Sequence, residues 1–109
     1  MLELKILHLQ AKILFDQHIF CEEKFQNWFG EVLQTKGQDI LRSKGILNFD
    51  GEDDRYVFQG VHMLMDASPM GKWPDDKERS SRLVFIGRNL ETMNLKEGFE
   101  ACKSERQLI

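Results

Sequence analysis

The residue types able to do chemistry in this chain are few. Three histidines, His8, His18 and His62, and two cysteines, Cys21 and Cys102, are the donors a transition metal would need. No Cys-x-x-Cys and no His-x-x-x-His occurs, and the one suggestive spacing is His18-x-x-Cys21. Two ligands do not make a structural zinc site, so a partner would have to complete it. Alternatively, His18 is a solvated turn residue and Cys21 a modest helix cap. His62 falls in a strand-like run on the face of Tyr56, Phe58 and Leu64. There it serves either as a hydrogen-bonding residue at a sheet rim or as a ligand. His18, Cys21 and His62 are thus the candidate metal residues, with zinc as the candidate ion. Cys102 falls on an apolar helical stripe and reads as core.

Other chemistries find less support. Neither a Walker-type phosphate loop nor Gly-x-Gly-x-x-Gly is present, and Gly71-Lys72-Trp73 lacks the flanking residues of the former. No pattern sets a base beside a Ser, Thr or Cys nucleophile. The pairs Asp53-Asp54 and Asp75-Asp76 sit in charged turns where solvation accounts for them. No catalytic residue is assigned, and the chain is expected to have no enzymatic activity of its own. Arg42, Lys44, Arg55, Arg79, Arg82 and Arg88 could form one basic patch, with Tyr56 and Phe58 interleaved as on an RNA-binding sheet. The net charge of -3 opposes that, and no nucleic-acid or membrane partner is expected. Trp73 serves either to pin its loop or to contact a partner.

These residues need elements to position them. Leu7, Leu9, Ala11, Ile13 and Phe15 alternate as in a strand with one buried face, the reading favoured here, although Leu2, Ile6, Leu9 and Ile13 would serve a helix nearly as well. Phe25, Trp28, Phe29, Val32 and Leu33 form the apolar stripe of a helix, with Glu22 and Glu23 at its start and Lys36-Gly37 at its end. Residues 40 to 49 and 56 to 65 read as strands joined through Asp50-Gly51. Leu83-Val84-Phe85-Ile86 reads as a strand covered on both faces. Between them, Asp66 to Ser81, with both prolines, reads as a long loop. Leu95, Phe99 and Cys102 make a closing helix with Asn94 as N-cap and Glu97 at N3. The expected fold is α+β: a mostly antiparallel four-stranded sheet with two helices packed on one side, in the order β-α-β-β-β-α.

Length and composition agree. A chain of 109 residues, 41% hydrophobic and 30% charged, suits one domain with its own core. Charges interrupt every apolar run, and Met1 to Lys5 do not read as a leader. Two cysteines give no disulfide framework, so a cytoplasmic or other reducing compartment is expected.

Four blocks then stand out in order: Ile40 to Leu47, Tyr56 to His62, Arg82 to Leu90, and Leu95 to Phe99, with Trp73 between the second and third. Together they resemble the C-terminal domain of CobW-type proteins. The likeness runs over residues 13–103, leaving 1–12 poorly matched and 104–109 as a polar tail. It implies a parent in which a P-loop GTPase half, holding GTP and magnesium, delivers zinc or cobalt to client metalloproteins. By the same resemblance this domain packs on its own or an in-trans GTPase domain and helps recognise clients. Arg42, Lys44, Gln59, Trp73 and Arg88 become the expected partner-facing residues, and Gly45 and Gly60 the positions of close strand approach. The histidine-rich stretch many members carry between their domains is missing. A stand-alone metal-binding or metal-sensing protein is the alternative.

Overall fold

The computed structural model describes residues 9–105. Its elements are β1 (Gln10–Asp16), α1 (Glu22–Lys36), β2 (Ile40–Leu47), β3 (Asp54–Val61), β4 (Leu64–Lys72), β5 (Ser81–Gly87), a 3-10 turn (Leu90–Thr92) and α2 (Leu95–Glu100). The sheet has five strands in the order β1-β5-β2-β3-β4, each antiparallel to its neighbours. The α+β class and the one-sided helices agree with expectation; the strand number does not.

The fifth strand comes from the segment that reads as a long loop. The run from Tyr56 turns back at His62-Met63, where Val61 pairs with Leu64, and β4 continues to Lys72. Pro69 disguises it, because proline cannot donate to a ladder. As an edge strand β4 needs only one hydrogen-bonding side, so Pro69 sits opposite Tyr56 without loss.

Helix α1 forms where its apolar stripe predicts, and Phe25, Phe29, Val32 and Leu33 are buried. Gly37 ends it with φ -60, an ordinary helical value rather than the left-handed cap expected. Its need for glycine is steric: a Cβ there would lie 2.2 Å from the Leu33 carbonyl oxygen and 2.8 Å from Met63 Cγ. The helix end therefore abuts the β3–β4 turn. Asn94 precedes α2 with φ 52 and makes no side-chain cap, so the expected capping box does not form. The predicted stripe holds nonetheless, since Leu95, Phe99 and Cys102 are all buried.

Phenylalanine fills the core. Phe20, Phe25, Phe29, Phe49, Phe58, Phe85 and Phe99 are among the fully buried side chains. Phe25 meets Phe58 edge-on at 4.8 Å, and Phe20 stacks on Phe99 at 4.5 Å. Gly45 leaves room in the middle of β2, where a Cβ would come within 2.2 Å of Leu83 Cδ2. Beyond α2, Ser104 is not frayed: its N–H donates to the Ile19 carbonyl and its hydroxyl to Asp50 Oδ2.

Candidate interaction face

The other face of the sheet has no helix on it. Register places its residues in three rows: Ile13, Val84, Lys44, Gln59, Asp66; Phe15, Arg82, Ile46, Val57, Ser68; and Ala11, Ile86, Arg42, Val61, Leu64. Among the described residues no helix covers these rows, and residues 73–80 border only the row of Arg82 and Ile46. Ile13 is 63% exposed, Phe15 53% and Ile86 41%. The chain has eight phenylalanines, and Phe15 is the one outside the buried set. The Arg82 guanidinium lies 5.7 Å from the Phe15 ring centroid, in cation–π range.

Two expectations are corrected here. The alternating face of β1 is apolar but open, and its buried residue is Leu14. Of the run Leu83 to Ile86 in β5, Leu83 and Phe85 are sealed, while Val84 and Ile86 belong to the open face. Both segments are strands as read. Periodicity reports which residues share a face, not whether anything covers it.

The face is also basic. Arg42, Lys44, Arg55 and Arg82 sit on the central strands; the carboxylates beside them are Asp66, at the β4 edge, and Glu78, at the rim. Arg42, Lys44, Ile46, Arg82, Val84 and Ile86 line a shallow depression of roughly 370 Å³. Tyr56 and Phe58 lie on the opposite, covered face, and Phe58 is fully buried. The cation-and-aromatic platform of an RNA-binding sheet is therefore split between two sides.

Of the residues expected to face a partner, the fold brings three together. Lys44 pairs with Gln59 across β2 and β3, and Arg42 occupies the adjoining row. Trp73 stands at the rim, half-buried, around a cavity shared with Ile46, Arg55 and Arg82. Its backbone N–H donates to the Asp53 carbonyl, while its indole N–H has no protein partner. Arg88 is elsewhere: its N–H donates to the Asp39 carbonyl at 2.7 Å and its Nε lies 3.8 Å from Asp39 Oδ1. Phe15, Ile13, Arg82 and Ile86 complete the face but do not stand out as partner-facing residues in the sequence. The readable signal was a strand apolar on both sides in a chain with helices enough for one.

The candidate metal residues do not converge. His18 and Cys21 flank Phe20, which bridges Phe49 beyond the end of β2, whereas His62 turns β3 into β4 at the opposite end. A strand length, about 20 Å, lies between. No group of three or more metal-ligating side chains occurs among the described residues, and His8 lies outside them. His62, with φ 54, is a turn residue rather than a mid-strand one. His18 is better defined. Its Nδ1 lies 2.6 Å from Asp16 Oδ1, and Lys103 Nζ lies 3.0 Å from Asp16 Oδ2. Burial alone would raise the Asp16 pKa, but hydrogen bonds from the His18 backbone, its ring and Lys103 outweigh it and hold the carboxyl below its ordinary value.

Comparison with known proteins supplies the affiliation. Residues 10–103 match the family described as the cobalamin synthesis protein cobW C-terminal domain. This chain belongs to that family. It is 38% identical over 72 residues to the zinc chaperone YjiA of Escherichia coli, covering 66% of this chain and 22% of that protein. To the zinc chaperone CobW of Pseudomonas aeruginosa it is 40% identical over 62 residues, covering 57% and 16%. The fold superposes on the Zn(II)-bound YjiA GTPase of E. coli with a TM-score of 0.82, at 26% identity over 89% of this chain and 30% of that one. The chain thus spans about a fifth of the length of the curated relatives it matches. None of the helices among its described residues is long and apolar enough to cross a membrane.

Proposed function

We propose that this cobW C-terminal domain is the non-catalytic interaction module of a GTP-dependent zinc chaperone. It docks on a CobW-type GTPase domain, in its own polypeptide or in trans, through the open sheet face, and contributes to recognising the client metalloprotein. The observation that carries the reading is the exposure of Phe15, Ile13 and Ile86 beside four basic side chains on a chain of net charge -3. Exposed apolar side chains grouped on one face and set among charges mark a surface that a partner covers. The cations select a partner surface that is apolar at its centre and acidic at its margin. Zinc and GTP enter as the cargo and fuel of the assembled chaperone rather than as ligands of this domain.

The test is titration of the chain against the GTPase portion of YjiA by calorimetry, with GTP analogue and with GDP. Binding is expected, weakened at least about tenfold by Phe15→Asp or by Lys44→Glu. Binding that neither substitution changes would refute the docking face. Zinc titration of the chain alone is expected to find no stoichiometric uptake. Tight uptake abolished by His18→Ala or Cys21→Ala would instead favour the stand-alone metal-binding reading.

A further inference from the structure

Two thiols far apart in the sequence meet where α1 starts and α2 has just ended. Phe20 and Lys103 are antiparallel bridge partners. Cys21 N–H donates to the Cys102 carbonyl at 2.8 Å, and Ser104 N–H to the Ile19 carbonyl at 2.8 Å. That pattern sets Cys21 and Cys102 opposite each other on the next rung. This rung holds one of its two hydrogen bonds, since the Cys102 N–H donates to the Phe99 carbonyl; opposed residues joined in that way hold their Cα atoms about 5.5 Å apart with side chains on one side. A disulfide needs about 4.4–6.8 Å.

The side chains agree with the backbone. Cys102 Sγ lies 3.5 Å from the Lys24 carbonyl, within the first turn of the helix that Cys21 caps. Cys21 is half-buried and makes no side-chain capping bond, so its sulfur is the one solvent reaches. Burial, and after it the neighbouring Cys21, pushes the Cys102 thiol up to about 11, which keeps it a protonated reserve.

We propose that Cys21 and Cys102 form a reversible intramolecular disulfide when the chain meets a peroxide-class oxidant, tying the start of α1 to the end of α2. The Cys21 thiol gives up its proton as its sulfur attacks peroxide; an S–O bond forms, the O–O bond breaks, and the departing hydroxide takes that proton and leaves as water. The Cys102 sulfur then attacks the Cys21 sulfenic acid. The S–S bond forms, the S–O bond breaks, and the departing hydroxyl takes the Cys102 proton as a second water. Two thiols are oxidised by two electrons and one peroxide is reduced. The link lies in the helical layer, away from the open face, so docking and oxidation are separable events.

Equimolar hydrogen peroxide on the folded chain, followed by alkylation and peptide mapping, tests this. The expected product is a monomer lighter by two hydrogens that resists iodoacetamide and joins the Cys21 and Cys102 peptides. Its Tm should rise by roughly 10 °C and fall back with dithiothreitol. Cys21→Ser should show neither effect, and it leaves the buried Cys102 in place. Full alkylation after peroxide, Cys21 sulfinic acid beside a free Cys102, covalent dimers, or a Tm rise that survives in Cys21→Ser would each overturn the proposal.

Discussion

The two faces of this sheet are made from the same strands and meet opposite fates. On the covered face, Phe58, Phe85 and Leu83 are fully buried under α1, with aromatic rings in mutual contact. On the open face, Ile13, Phe15 and Ile86 keep much of their surface in water, with Arg42, Lys44 and Arg82 set among them. Both faces carry β-branched and aromatic residues, so hydrophobicity alone does not distinguish core from interface. Charge does. The covered face admits no lysine or arginine into the core cluster, while the open one interleaves them with the apolar rows.

The sharpest way to break that contrast is to remove a ring from the covered side. Phe58→Ala should cost about 3–5 kcal/mol, because Phe25, Phe29 and Phe49 surround Phe58 and cannot all close the void. Urea denaturation measures it. A loss below about 1 kcal/mol would mean that the helical layer is not what holds the sheet.

How far this was readable from sequence divides along the same line. The stripe of Phe25, Phe29, Val32 and Leu33 announces α1 because a helix on a sheet buries one side and solvates the other. Strand β4 was hidden, since its residues are all exposed and Pro69 breaks the expected composition. The open face was visible as apolar alternation in β1 and as the unbroken run in β5. Its being uncovered was not, because coverage depends on how many helices reach each side. The metal candidates failed to meet for a related reason: sequence spacing places His18 near Cys21 but says nothing of which end of the sheet His62 occupies.

Asp16 at the end of β1 allows a second test. Its folded pKa is lowered, so its contribution is present above the unfolded value, near 3.9, and is lost as pH falls through the lower folded value. Asp16→Asn should destabilise by about 1–2 kcal/mol at pH 7. The gap should close in acid, as pH falls through that lowered value. Paired urea melts at neutral and acid pH would show it, and a gap unchanged in acid would exclude the carboxylate as its source.

The smallest effect is expected on the open side. Ile13→Thr and Ile86→Thr keep the β-branched shape and should change the stability of the isolated chain by no more than about 0.5 kcal/mol. Thermal melts of each variant check this. A core-sized loss would place these residues in the folding of the domain itself and erase the difference between its faces.

The strand order carries a consequence for synthesis. β5 lies between β1 and β2, and Gln10 pairs with Gly87. Among the described residues no other strand lies beside β1. At translation rates of about 5–20 residues per second, β1 therefore waits several seconds after its own emergence for the strand that receives it. Through that interval Ile13 and Phe15 are exposed together with Leu14, on a segment with both edges unpaired. The nascent chain is most prone to aggregate then, and closing so long a loop makes docking of β1 a late and slow step in folding.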